Sequence, residues 1–248
     1  MSRIEQEPAF LLHQRPFRDS SLLLDVLSRE HGRLALVARG ARGARSRLKG
    51  ILRPFMPLRM SWVLKRDLGT LTGAELDGPP LRLTGDALMS GYYANELILN
   101  LQHRHDPQPE VFAAYREAVH ALAAAENPAP TLRLFEIELL RLLGYALNFD
   151  HEALSDDELE PDAHYEYRAE QGPVRVQRTS GPMVFSGAEL IGIRESRFDE
   201  AEILRSAGRL MRHVIHYHLG GKELKSRKVL IDLHRVNTEA NTDKARGE

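Results

Sequence analysis

The sequence predicts an α+β chain in which a small barrel of five short strands precedes a helical bundle with a small β-containing insert. Three observations predict it. From Ala9 to Leu76, short apolar runs are broken by turns, and no helical period lasts longer than a few residues. Asp77-Gly78-Pro79-Pro80 ends that pattern, and apolar residues then recur at helical spacing. A second, shorter group of strand signals lies between residues 164 and 185. A chain of 248 residues can hold two or three small domains with their own cores. We assign residues 1–79 to the barrel, 80–149 and 186–236 to the helical domain, 150–185 to the insert and 237–248 to a flexible tail.

The elements follow from local pattern. Ala9 to Leu12 and the leucine-rich Ser21 to Leu27 are strands, Glu30-His31-Gly32 is a turn, and Arg33 to Ala38 alternates as a third strand. Arg59 to Lys65 and Thr70 to Leu76 complete five. That number of strands in about seventy residues suits an OB-fold, although an SH3-like barrel would leave much the same trace. Helices are predicted for Gly85 to Asn100, for Glu110 to Ala124 with Val111, Tyr115, Val119 and Leu122 on one face, and for Thr131 to Leu143. The last carries Leu132, Phe135, Leu139 and Leu142, with Gly144 at the left-handed position after it. Asn127-Pro128-Ala129-Pro130 reads as a helix stop. His164 to Arg168, Val174 to Arg178 and Met183 to Phe185 form the small sheet, turning at Gln171-Gly172 and Ser180-Gly181. Ser186 and Glu189 have capping-box spacing and begin a short helix. Asp199 and Glu200 begin a long one reaching about Leu219, with Ile203, Ala207, Leu210, Val214 and Tyr217 on its apolar stripe and Arg205, Arg209, Arg212 and His216 opposite.

The chemistry concentrates between Gly32 and Leu58. Arg39, Arg42, Arg45, Arg47, Lys49, Arg53 and Arg59 follow one another with no carboxylate between them. Glycines at 40, 43 and 50 let the backbone approach a ligand closely. Residues 1–66 hold 14 Lys or Arg against 5 Asp or Glu, and the remainder 20 against 30, so the formal net charge of −1 hides a strongly cationic N-terminal region. Unpaired guanidinium groups repel, and a polyanion relieves that repulsion; nucleic acid is the commonest one in a cell. A solvated basic loop without a ligand is the alternative. Past the long helix, Gly220-Gly221-Lys222, Lys225, Arg227 and Lys228 extend the positive charge.

Other chemistries find little support. The chain has no cysteine, which excludes disulfides, thiolate metal sites and cysteine nucleophiles. No signal-peptide pattern and no bilayer-length apolar run is present, so a cytoplasmic, nucleoid-associated location is expected. His213, His216 and His218 suggest zinc, but on a continuous helix His218 points most of a half-turn away from the other two. The acid run from Asp150 to Asp162, centred on Asp156-Asp157-Glu158, is a solvated loop or, alternatively, a divalent-metal site of a nuclease. No P-loop, dinucleotide motif or nucleophile elbow occurs. No catalytic residue, metal or cofactor is expected.

Several stretches resemble the bacterial recombination mediator and DNA repair family RecO. They are Arg15-Pro16-Phe17 with Leu23-Leu24-Asp25-Val26, Gly32 to Arg42, Leu52-Arg53-Pro54-Phe55-Met56-Pro57-Leu58, Gly91-Tyr92-Tyr93-Ala94-Asn95-Glu96-Leu97, Leu132-Arg133-Leu134-Phe135-Glu136 leading to Leu143-Gly144-Tyr145, and Leu219-Gly220-Gly221-Lys222-Glu223-Leu224-Lys225-Ser226-Arg227. The resemblance runs in order from residue 8 to about 230. It implies an N-terminal OB-fold, a helical domain and an insert that in many relatives is a cysteine-coordinated zinc module. Without cysteines the insert should be a metal-free remnant, as in the branch that includes enterobacterial members.

The same resemblance implies binding of single- and double-stranded DNA and annealing of complementary strands. With the partner RecR, the family displaces the single-strand-binding protein SSB so that RecA can load, and it docks the acidic, Phe-ending SSB tail. No nucleotide is hydrolysed. The expected DNA contacts are Arg39, Arg42, Arg45, Arg47, Lys49, Arg53, Lys222, Lys225 and Arg227, with Phe10, Phe17 or Phe55 as candidate stacking platforms. The expected SSB-tail contacts are Arg133, Arg205, Arg209 and Arg212, the last three alternatively serving a second DNA segment. An RNA-binding barrel or a metal-dependent nuclease are the competing readings, separable by matched DNA and RNA oligomers and by magnesium-dependent cleavage.

Overall fold

Strand β1 (Ser2–Phe17) explains how the barrel closes. Its first half pairs antiparallel with β4 (Leu58–Lys65) and its second half with β2 (Ser21–Ser28), Ala9 serving both ladders. Irregularities between Ile4 and Glu7 and between Leu11 and His13 bend the strand between its two partners. Strand β3 (Gly32–Ala38) pairs antiparallel with β2 and parallel with β5 (Leu68–Leu76), which returns beside β4. The closed order β1-β2-β3-β5-β4, with its one parallel pair, is that of an OB-fold and removes the SH3-like alternative. The structure, a computed structural model, describes residues 2–65, 67–226 and 228–229. The expected flexible tail at 237–248 lies outside them, as do residues 230–236 of the expected helical domain.

The apolar run at Ala9–Leu12 is continuous because β1 is covered on both faces. Ala9 and Leu11 enter the barrel interior with Leu24, Val26, Leu36, Met60 and Trp62. Phe10 and Leu12, pointing the other way, join the core of the helical region. Only this doubly buried stretch was legible as a strand. Its exposed polar flanks extend as strand through backbone pairing that no local pattern announces.

The helical region contains α1 (Gly85–Leu101), α2 (Pro109–Ala124), α3 (Pro128–Leu142), α4 (Gly187–Arg194) and α5 (Ala201–His218). Between α3 and α4, β6 (His164–Arg168), β7 (Gly172–Val176) and β8 (Val184–Ser186) form a sheet of order β7-β6-β8. Two sequence expectations are corrected. Asn127-Pro128 starts α3 instead of ending α2: the Asn127 side chain accepts from the Ala129 amide, and Pro128 occupies the first turn, where its missing N–H costs nothing. Tyr217 leaves the apolar stripe of α5, since it is 46% exposed and packs edge-on against His218. The capping box at Ser186 and Glu189 forms both of its reciprocal bonds, and Gly144 adopts φ +83° after α3.

Barrel and helices are locked together by buried polar contacts. The Asn95 side chain donates to the Leu12 carbonyl at 2.8 Å and accepts from the Tyr115 hydroxyl at 2.5 Å. Arg33 donates to the Gln102 carbonyl at 3.1 Å, and its own carbonyl accepts from the His105 amide at 2.9 Å. Gly32, at φ +63°, has no room for a side chain: an added Cβ would lie 2.2 Å from the Asp106 carbonyl oxygen. Among the described residues no helix is long and apolar enough to cross a membrane.

Candidate nucleic-acid interface

The segment between β3 and β4 is folded over one end of the barrel. Ala41 and Leu52 are buried in the barrel core, and Leu48, Ile51 and Met56 pack against it. Anchoring these apolar residues inward turns the intervening cations outward. Arg39, Arg42, Arg45, Arg47, Lys49 and Arg53 are all exposed. Among the described residues, none of the six forms an ion pair within 4.0 Å of a carboxylate. Arg59, the last cation of the run, differs: it pairs with Asp77 at 3.1 Å. The Arg42 amide donates to the Ser20 carbonyl at 2.9 Å, and its guanidinium reaches the Arg18 and Asp19 carbonyls at 3.4 Å. Those bonds fasten the loop to the β1–β2 turn, where Arg18 lies 5.3 Å over the Phe17 ring.

Of the three candidate stacking rings, burial removes two. Phe10 packs against Phe112 and Tyr115 and is 1% exposed, and Phe55 is 4% exposed. Phe17 is half-buried beside the Arg42 anchor.

Helix α1 joins the loop to cations far along the chain. Tyr92, Glu96 and Asn100 recur every four residues and so share one face. The Phe55 ring, two residues after Arg53, meets the Tyr92 ring at 5.1 Å. The Glu96 carboxylate accepts from the Lys225 amide, the Ser226 amide and the Ser226 hydroxyl at 2.7–2.9 Å. The Lys222 ammonium donates to Asn100 Oδ1 at 2.5 Å. Lys222 and Lys225 are thereby brought to the helix that also carries the end of the basic loop, while Arg227 lies outside the described residues. Glu96 lies within the Gly91–Leu97 stretch that carries the family resemblance, but its role was not legible, because its partners lie about 130 residues away in the chain.

A groove of about 930 Å³ opens between α1, α3, α5 and the segment that carries Lys222, Leu224, Ser226 and Lys228. Met89, Leu132, Met183, Ile215 and Leu224 contribute its apolar walls, and Arg133, Arg209, Arg212, Lys222 and Lys228 supply positive charge. Arg205, although exposed, is not part of its lining. Arg133 donates to Glu136 Oε1 at 2.9 Å, and the Tyr93 hydroxyl donates to the same oxygen at 2.6 Å. Glu136 is 1% exposed. Burial, the largest influence, holds its carboxyl above the ordinary carboxylate range, against the opposing pull of Arg133, the Tyr93 hydroxyl and Arg212. Arg209 lies 4.2 Å over the Phe185 ring and donates to the Val184 carbonyl at 3.1 Å, so packing fixes its orientation. The sequence did carry a trace of Glu136. It falls on the apolar stripe of α3, four residues after Leu132, where a solvated carboxylate does not belong.

The remaining candidates have structural roles in this fold. His213 and His216 line the groove, whereas His218 stacks on Tyr145 at 4.3 Å. Within the acid run, Glu152 is 6% exposed and accepts amide hydrogens from Leu154, Ser155 and Arg175. Glu160 forms a bidentate pair with Arg175, and Asp150 lies 3.6 Å from Arg194. The run is thus partly a brace for the insert instead of a wholly solvated loop. Among the described residues no group of three or more His, Asp or Glu could hold a metal ion.

An OB barrel capped by a cationic loop with no carboxylate partner among the described residues, and packed against a helical domain, defines a nucleic-acid-binding class of protein. Residues 1–79 match the family described as Recombination protein O N terminal, and residues 82–228 match Recombination protein O C terminal. The chain is 42% identical over 235 residues to the DNA repair protein RecO of Azoarcus sp. (strain BH72), covering 93% of this chain and 97% of that one. It is 43% identical to the DNA repair protein RecO of Aromatoleum aromaticum, over 94% of this chain and 98% of that one. The corresponding protein of Aliivibrio fischeri (strain MJ11) is 43% identical over 90% and 93%. The chain belongs to the RecO family of DNA repair proteins.

Proposed function

We propose that this family member binds single- and double-stranded DNA, anneals complementary strands and, with RecR, helps load RecA onto SSB-coated DNA in the cytoplasm. The observation that carries this reading is the set of six exposed cations between β3 and β4 that have no carboxylate partner among the described residues. Phosphates supply the missing charge, and neutralising two strands at once lowers the repulsion that opposes their pairing. Arg39, Arg42, Arg45, Arg47, Lys49 and Arg53 provide the primary contacts, and Lys222, Lys225 and Arg227 extend them. Backbone contact dominates over base recognition, which suits a protein that must ignore sequence. No bond need be broken in any of these steps.

The groove suits the SSB tail, whose acids and terminal phenylalanine need cations beside an apolar floor. Arg133, Arg209 and Arg212 serve it in this reading, and Arg205 takes a peripheral part. A tail peptide that bound Arg133→Ala with wild-type affinity would remove that residue from the site.

Annealing of labelled complementary strands, bare and SSB-coated, tests the main proposal. The wild-type chain should accelerate both. The double variant Arg39→Ala/Arg42→Ala should anneal slowly, and its slope of log K against log salt should be shallower by about 1.4, from about 0.7 per lost single-strand phosphate contact. An unchanged slope removes the loop from the contact surface. Matched DNA and RNA oligomers, compared in the same titration, test the preference for DNA.

A further inference from the structure

Three tyrosines are exposed among the described residues: Tyr92, Tyr145 and Tyr217. Two of them pack on the same neighbour, Tyr145 stacked on His218 at 4.3 Å and Tyr217 edge-on to it at 5.4 Å. Tyr92 is placed differently. It is 42% exposed, and it stands on α1 between the end of the basic loop and the C-terminal lysines.

Its support is built. Phe55 meets the Tyr92 ring at 5.1 Å with the ring planes 71° apart. Phe55 itself holds φ +67°, a left-handed conformation that a bulky aromatic residue adopts only under constraint. The constraint is visible. Its ring is wedged against Gly91, where an added Cβ would come within 2.8 Å of Phe55 Cε1 and 2.7 Å of Leu83 Cδ2. A strained phenylalanine, a glycine that admits its ring and a neighbouring exposed tyrosine therefore act as one unit at the end of the loop that carries Arg53. On the same helix face, one turn on, Glu96 spends its charge on the Lys225 and Ser226 groups, leaving the Lys225 side chain exposed. An exposed ring that leads through Phe55 to the loop carrying Arg53, and along its own helix face to Lys222 and Lys225, is an arrangement suited to single-stranded nucleic acid, with bases on the ring and phosphates on the cations.

We propose that Tyr92 is the base-stacking platform of this surface, receiving an unpaired base as the strand passes from the basic loop toward Lys222 and Lys225. The inference rests on the DNA-binding reading above and adds a contact that discriminates an unpaired base from a bare backbone. Stacking tolerates any base, so it gives preference for single strands without sequence preference.

The test compares wild type, Tyr92→Ala and Tyr92→Phe on two oligonucleotides of equal length, one normal and one with abasic sites through its central residues. Tyr92→Ala should bind the normal strand about tenfold more weakly, the size expected for one stacked base, and Tyr92→Phe should keep wild-type affinity. On the abasic strand the three proteins should converge, and the salt slope should be the same for all, because no phosphate contact is lost. Wild-type affinity for Tyr92→Ala on the normal strand overturns the proposal, as does an equal loss on both strands. Failure of the wild-type chain to bind either strand in dilute buffer overturns the DNA-binding reading itself.

Discussion

Glu136 occupies a position on α3 where its own sequence neighbours are apolar, and folding buries its carboxyl. It is retained there by the Tyr93 hydroxyl and the Arg133 guanidinium, both donating to Oε1. The consequence for Arg133 is orientation: a side chain only 14% exposed is held at the groove wall instead of sweeping through solvent. Burial raises the folded-state carboxyl above its unfolded value, so the native protein binds this proton more tightly than the unfolded chain does. The resulting stability is fully present below about pH 4.3, the ordinary glutamate value, and is lost as pH rises through the folded value. Glu136→Gln keeps the acceptor and abolishes the ionisation. Urea unfolding between pH 4 and pH 8 should therefore show a shallower decline in stability for Glu136→Gln than for wild type, and parallel profiles would contradict this. Glu136→Ala, which strands Arg133, should cost about 2 kcal/mol, read from the urea midpoint.

At the scale of elements, two joints position the cationic surface. The first is the barrel-to-bundle contact at Gly32, where β3 begins and the loop before α2 presses its Asp106 carbonyl against the glycine. Gly32→Ala forces a Cβ into backbone and a side chain into left-handed φ, and should lower stability by about 3 kcal/mol in thermal or urea unfolding. The second is the clasp between Glu96 of α1 and the amides of Lys225 and Ser226. A carboxylate accepting the first free amides of a helical turn both satisfies those donors and fixes the segment that walls the groove. In Glu96→Ala, limited proteolysis after Lys222 or Lys225 should accelerate several-fold while the global melting temperature changes little. Equal cleavage rates in variant and wild type would show that the segment is held by other contacts.

For the whole molecule, net charge is a poor guide and its distribution a good one. A formal charge of −1 conceals a surplus of cations in the first 66 residues and a surplus of acids after them. Several of those acids are engaged away from the loop, with Glu160 on Arg175, Glu138 on Arg141 and Glu152 on backbone amides. The barrel end is left with its own field. Association with an oligonucleotide should therefore be steered, with an on-rate that falls several-fold between about 50 and 200 mM salt in stopped-flow mixing. An on-rate insensitive to salt would mean that the local field does not guide encounter.

Much of this was legible in the order of residues. The five strands, the helical stripes, the capping box at Ser186 and the carboxylate-free run from Arg39 to Arg59 are local patterns, set by side-chain period and by which residue types adjoin. Less was legible wherever partners are remote. Phe10 and Phe55 have the same chemistry as a stacking residue, and only the packing of helices over the barrel buries them. Arg59 belongs to the basic run in sequence but is neutralised by Asp77 across the β4–β5 end. Asn127-Pro128 signals a break without saying on which side the helix lies. By itself the sequence determined that a strand-rich, cation-bearing region precedes a helical one, because period and local charge need no partner. Tertiary structure alone decided which cations stay free, which aromatic ring remains outside and how Lys222 and Lys225 come to share a helix face with the end of the basic loop, because burial and ion pairing depend on groups that only folding brings within reach.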